Sequence, residues 1–261
     1  MIFLFATNWS LGAITDENGH KVFQKRFDEK ARETFKIGSK QFRIERHCLI
    51  SDLTQSPQNF KIDDLLWSSW KDLANRPENN PEINDETPIN EIIVTTPDIL
   101  KQVHMLNLLV KAAKPTLFIG GTGTGKTIAV NRFMRSLDTN FFETTTICFS
   151  SRSSANITQE TIQNKLEKRN RRLFGPQSSK RMVIFVDDLN MPTIEKHGAQ
   201  PPIELIRQWF DHKSWYDYKE KDNILKVLKG LVYVGAMCPH EGGKNLVSPR
   251  FSRHFNIIAC S

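Results

Sequence analysis

The sequence predicts an α/β fold built on a five-stranded parallel sheet flanked by helices. Three observations predict it. Short β-branched or apolar runs recur through residues 91–261: TLFIG (116–120), TTTICFS (144–150), MVIFVDD (182–188), LVYVGAM (231–237) and FNIIAC (255–260). Segments with helical spacing lie between them. A glycine cluster and an acidic pair each follow directly on one of the apolar runs. A strand that is apolar on both faces must be covered on both, and parallel strands need long crossovers, which helices supply.

Each element has its own reason. Residues 1–90 read as an α-rich N-terminal segment. The opening MIFLFATNWS is apolar, but it is short and has no basic flank, so it is a poor secretory signal and reads as the end of a helix from something larger. Phe23, Phe27, Ala31 and Phe35 recur every four residues and make one apolar helical stripe. Residues 36–73 hold Trp67 and Trp70 but no clear period. NRPENNPEINDETP (75–88) is rich in Asn, Pro and acid, a loop or linker composition. The second part is residues 91–261. There Thr96-Pro97-Asp98 starts a helix with proline at its first position, running to Ala113. Further helices are expected over Lys126–Leu137, over 155–170, over 201–213 behind Pro201-Pro202, and briefly over Pro249–Arg253.

Size and composition bound the chemistry. With 261 residues, 39% of them hydrophobic, 17 Phe and 5 Trp, the chain can bury a sizeable core. The net charge of +7 fits a surface rich in Lys and Arg, with a basic patch for nucleic acid or an acidic partner surface as the alternative. Cys48, Cys148, Cys238 and Cys260 lack metal-ligand or disulfide-framework spacing. Cys148 and Cys238 fall in strand-like runs and are expected to be buried thiols, and a reducing compartment follows. No apolar run approaches the roughly 20 residues that span a bilayer, so no membrane association is expected.

Gly120-Gly121-Thr122-Gly123-Thr124-Gly125-Lys126-Thr127 fits the phosphate-loop pattern G-x-x-x-x-G-K-[ST] at every position. Glycines let backbone N–H groups converge on phosphate oxygens, and the following helix turns its positive end toward the anion. Lys126 would reach the β- and γ-phosphates, and the Thr127 hydroxyl would ligate Mg²⁺. Val183 to Asp188 delivers two carboxylates at the end of a buried strand. Asp187 would support the Mg²⁺, and Asp188 would orient or deprotonate the attacking water. Glu is usual at the second position in many such ATPases. Asp is one methylene shorter, so slow hydrolysis of ATP to ADP is the expectation. Arg250 and Arg253, three apart in SPRFSRHF, share one face of a short turn and could act in trans on a γ-phosphate, or simply form surface ion pairs.

GGTGTGKT, VIFVDDLNMP, GAQPPIELIRQWFDHKSWYD and SPRFSRHFN, in this order, resemble the third AAA+ module of dynein heavy chains, most closely the axonemal type. FLFATNWSLGAIT and FQKRFDEKARE are similar to the end of the second module. The resemblance implies a P-loop NTPase fold, the AAA+ large subdomain without its helical lid. It implies ATP/ADP and Mg²⁺ as ligands, with regulation of microtubule-based movement by a module of weak or no intrinsic hydrolysis. Arg250 and Arg253 would face the site of the neighbouring second module. The implied partners are the neighbouring AAA+ modules of the ring and, through the full-length motor, dynein intermediate and light chains and microtubules. The implied place is the cytoplasm, the cytoskeleton and the axoneme of a cilium. The sensor asparagine of active relatives falls at Cys238 here, and a thiol is a poor donor. The chain stops at Ser261, just after the fifth expected strand, so a fragment or a shortened gene is expected. Two alternatives remain from the residues: an independent P-loop ATPase that remodels nucleic acid or protein, and a binding module without turnover. No second domain with a basic aromatic groove accompanies the motifs, which counts against nucleic acid.

Overall fold

A computed structural model describes residue 7, residues 10–11, 17–35, 53–55, 67–75, 94–218, 224–240 and 243–260. The chain divides into two compact units, residues 1–104 and residues 105–260. In the first, α1 (Glu17–Phe35) holds three of the residues of the expected stripe, Phe23, Phe27 and Ala31, partly or fully buried; the side chain of the fourth, Phe35, lies outside the described residues. Ala31 is buried, and the Phe23 and Phe27 rings stack with centroids 5.5 Å apart. β1 (Leu53–Gln55) and β2 (Trp67–Ser69) pair antiparallel, and α2 (Trp70–Ala74) follows. Trp70 is buried with its ring edge-on to His104. The helix-end reading of residues 1–10 and the linker reading of residues 75–88 lie outside the described residues, apart from Thr7, Ser10 and Asn75.

α3 (Pro97–Lys111) starts as expected, with proline first and the Thr96 hydroxyl accepting from the Ile99 N–H at 3.3 Å. It ends two residues early, because Ala113 turns left-handed (φ 54°) and donates its N–H to Val110 O.

The second unit holds the predicted sheet. Its strands are β3 (Thr116–Gly120), β4 (Phe142–Cys148), β7 (Arg181–Asp187), β10 (Leu231–Met237) and β11 (Asn256–Cys260). Their order is β11-β3-β10-β7-β4, with every pairing parallel. β3, β7 and β10 are buried along almost their whole length, which is why those three read as continuous apolar runs. α4 (Lys126–Ser136) follows β3, α5 (Ala155–Gln163) follows β4, and α6 (Pro201–His212) follows β7. α7 (Pro249–Ser252) is a single turn before β11, capped by the Ser248 hydroxyl on the Arg250 N–H. Phe185, Tyr233, Trp209 and Phe251 are among the large side chains closing the core.

Two differences from expectation stand out. The helix expected over 155–170 stops at Gln163. Its apolar period ends with Ile162, and the chain turns through Lys165 and Leu166 into β5 (Glu167–Lys168). A second sheet of four short strands was not expected. It runs β5, β6 (Leu173–Gly175), β9 (Leu225–Leu228), β8 (Ser214–Tyr216), and only the β6–β9 pairing is parallel. Among the described residues no helix is long and apolar enough to cross a membrane.

Candidate functional site

The glycine loop leaves β3 at Gly120 and enters α4 at Lys126. Gly123 and Gly125 sit at φ +83° and +78°, a region that side chains strain to occupy. Gly125 is the N-cap of α4 and no side chain caps it, so the first-turn N–H groups of an eleven-residue helix open onto the loop. The Thr124 hydroxyl donates back to Gly121 O at 3.0 Å and closes the turn. Lys126 is buried. Its ammonium donates to Gly120 O (2.9 Å), Gly121 O (2.6 Å) and Thr124 Oγ1 (3.2 Å). The loop is thus closed around its own cation.

The second half of the site comes from β7. The Thr127 hydroxyl donates to Asp187 Oδ2 at 2.8 Å across sixty residues of sequence. Asp187 Oδ1 accepts the Asp188 N–H at 3.0 Å. A hydroxyl and a carboxylate oxygen placed together suit a hard cation such as Mg²⁺, which takes one or two protein ligands and fills the rest with phosphate oxygens and water. Among the described residues there is no group of three or more His, Cys, Asp or Glu that could hold a metal ion. Asp188 stands just past the strand in the left-handed region (φ 51°), with its side chain turned to partial exposure.

β10 lies between β3 and β7 in the sheet, so the chain leaving β10 fills the gap between the glycine loop and the acidic pair. Cys238 occupies that gap. Its Sγ is 3.8 Å from Thr122 Oγ1, and its carbonyl accepts from Asn190 Nδ2 at 2.8 Å. The next segment, 243–247, supplies a residue that the sequence did not single out. Lys244 Nζ makes an ion pair with Asp188 Oδ1 at 3.0 Å.

The expectation of two buried strand thiols is corrected. Cys148 is exposed because β4 is the edge strand and Thr144, Thr146 and Cys148 alternate onto its outward face while Thr145 and Phe149 are buried, and Cys238 is only half-buried because it lies past the end of β10. Cys148 pairs in register with Asp187. Local desolvation, then the charges of Asp187 and Asp188, push its thiol above the ordinary range, while Lys244 pulls the other way. Below its raised pKa less of it is thiolate. Alkylation of Cys148 followed by mass spectrometry is therefore expected to rise at a higher pH than that of a free thiol. Asp187→Asn should move the profile down, and an unchanged profile would separate the thiol from the acids.

The two arginines are not part of this cluster. Asn256, at the start of β11, pairs with Thr116, at the start of β3, whereas Cys260 pairs with Gly120. α7 therefore lies toward the strand starts, a strand length of about 13 Å from the glycine loop. Arg253 is on the surface, bound to Asp211 Oδ1 at 3.1 Å, where Arg207 (2.7 Å, to Oδ2) and His254 (3.2 Å) also converge. Partial burial would raise the Asp211 carboxyl, but the hydrogen bond from Arg253 and the charges of His254, Arg253 and Arg207 outweigh it and hold the group below the usual carboxylate range. Arg250 is exposed and has no side-chain partner among the described residues.

The family described as the P-loop containing dynein motor region matches residues 81–261. Dynein axonemal heavy chain 12 of Rattus norvegicus is 38% identical over 264 residues, covering 98% of this chain and 8% of that protein. Dynein axonemal heavy chain 1 of Mus musculus is 37% identical over 268 residues, covering 98% of this chain and 6% of that one. Dynein axonemal heavy chain 3 of Homo sapiens is 42% identical over 193 residues, covering 74% and 5% respectively. The chain thus spans less than a tenth of the length of these relatives.

Proposed function

This chain belongs to the axonemal dynein heavy chains, as part of their P-loop AAA motor region, and we propose that it binds Mg·ATP and regulates the motor, with weak or no hydrolysis of its own. The observation that carries the reading is the contact of the Thr127 hydroxyl with the Asp187 carboxylate directly behind a closed glycine loop. In this reading residues 120–127 hold the phosphates, and Thr127 and Asp187 support the metal. Asp188 is the hydrolytic acid. Residues 91–261 are the nucleotide-binding large subdomain, and residues 1–90 belong to the end of the preceding module and its connection.

Two features support slow turnover. Asp188 is a short acid already engaged by a cation, and the residue facing Thr122 is a thiol rather than an amide. Arg250 and Arg253 lie far from this site and on the surface, and in this reading they complete a neighbouring module's site in the ring, Arg253 exchanging its pairing with Asp211 to do so. The partners in this reading are those neighbouring modules and, through the whole motor, the intermediate and light chains and microtubules of a ciliary axoneme. The bound Mg²⁺ would neutralise charge on the phosphates. The chain's own groups would hold and orient them.

Phosphate release under saturating Mg·ATP tests the proposed role of Asp188. Asp188→Glu extends the acid by one methylene and is expected to raise release about tenfold or more, since an ångström of misplacement is costly in such a site. Equal rates in the two chains would mean that the reach of the acid does not limit hydrolysis.

A further inference from the structure

We propose that Lys244 is a positioning residue that restrains the Asp188 carboxylate through an ion pair and keeps turnover at this site slow. The inference rests on the reading of Asp188 as the hydrolytic acid. Lys244 comes from the segment after β10, fifty-six residues from Asp188 in sequence. A pair between two loose surface side chains would do little. This pair is built differently.

The backbone beside Lys244 is tied down. The Asn245 N–H donates to Asn190 O at 3.0 Å, and Asn245 Nδ2 donates to Pro192 O at 2.8 Å. Both acceptors lie in the LNMP turn that directly follows Asp188. The lysine is therefore delivered from a segment fastened to the same turn that carries the acid. Its side chain is only 21% exposed, and its ammonium also lies 3.0 Å from Met191 Sδ. Asp188 is 42% exposed, and Lys244 is its only side-chain partner among the described residues.

A base that activates water needs a free carboxylate oxygen aimed at that water. Lys244 occupies Oδ1 and turns the carboxylate toward the 243–247 segment. Oδ2 has no hydrogen-bond partner among the described residues, but re-aiming it at a water strains or breaks the charge-assisted hydrogen bond on Oδ1, an energy that adds to the barrier. The Asn245 bonds hold the two loops together without the ammonium, so its removal leaves the scaffold in place.

Lys244→Met keeps an unbranched apolar stem and removes the charge. Lys244→Gln does the same with a shorter polar group. Lys244→Arg keeps a cation. Mg·ATP affinity by calorimetry and phosphate release as a function of Mg·ATP are measured on each purified chain. The expected result is a rise in kcat of roughly three- to tenfold in the Met and Gln variants, with KM changed less than kcat. The Arg variant stays slow, and adding Asp188→Asn to Lys244→Met removes the gain. A merely structural lysine gives the opposite sign, because damage lowers turnover. Mg·ATP binding with kcat unchanged or lower in both neutral variants overturns the proposal. No binding in any chain, the unsubstituted one included, overturns the nucleotide reading itself and this inference with it.

Discussion

Lys126→Ala is expected to weaken Mg·ATP binding by at least about a hundredfold, the scale for truncating one partner of a buried charged hydrogen bond. The reason is the closure of the loop. Lys126 is the one cation inside it, and its ammonium bridges Gly120 O, Gly121 O and Thr124 Oγ1. The same ammonium is placed to exchange those carbonyls for phosphate oxygens. Thr127 and Asp187 remain in the variant, so any residual affinity reports what the metal side supplies alone. Calorimetry on the folded variant measures it, and an affinity equal to that of the unsubstituted chain would remove the phosphate-loop assignment.

Gly120→Ala is expected to cost about 3 kcal/mol of stability or more, through overpacking rather than lost ligand contacts. A Cβ at this position would lie 2.2 Å from Cys260 O and 2.8 Å from Cys260 Cβ. The obstacle is backbone in the adjacent strand, so no side-chain rotation relieves it. β11 would have to move off β3, and the loop that begins at Gly120 would move with it. For a unit of this size the cost corresponds to a fall in Tm of about 10 °C. A thermal melt decides, and an unchanged Tm would mean that Cys260 is not the neighbour of Gly120. Gly121 lacks this constraint. A Cβ there meets nothing closer than a Thr124 methyl at 3.9 Å, so two adjacent glycines of one motif serve different ends.

The sequence revealed the part of the fold that depends on burial. β7 and β10 are covered on both faces, and their composition states it. The loop and the acidic pair were legible because the phosphate-loop pattern has fixed residue types at fixed spacing. The short sheet β5-β6-β9-β8 was not legible. Its strands have two to four residues, too few for a period, and Glu167 and Lys168 are both exposed. Lys244 was hidden for another reason. Its role depends on β10 lying beside β7, and on Asn245 fastening two loops whose sequences, EGGKN and LNMP, carry no mark of the contact. Cys148 misled because the β-branched run of β4 does not say that this strand is the edge of the sheet, with one of its faces left exposed.

Arg250 and Arg253 were legible from the residues as a pair, and only the family resemblance set them away from the chain's own loop. The parallel register of β11 on β3 separates them from the chain's own glycine loop.

Residues 120–127 together with Asp187 are proposed to form a Mg·ATP site, and calorimetric titration of the chain with ATP, with and without Mg²⁺, tests this most directly. One nucleotide per chain is expected to bind saturably, and more weakly when Mg²⁺ is withheld, because Thr127 and Asp187 then have no ion to hold. Absence of binding, or binding indifferent to Mg²⁺, would contradict it.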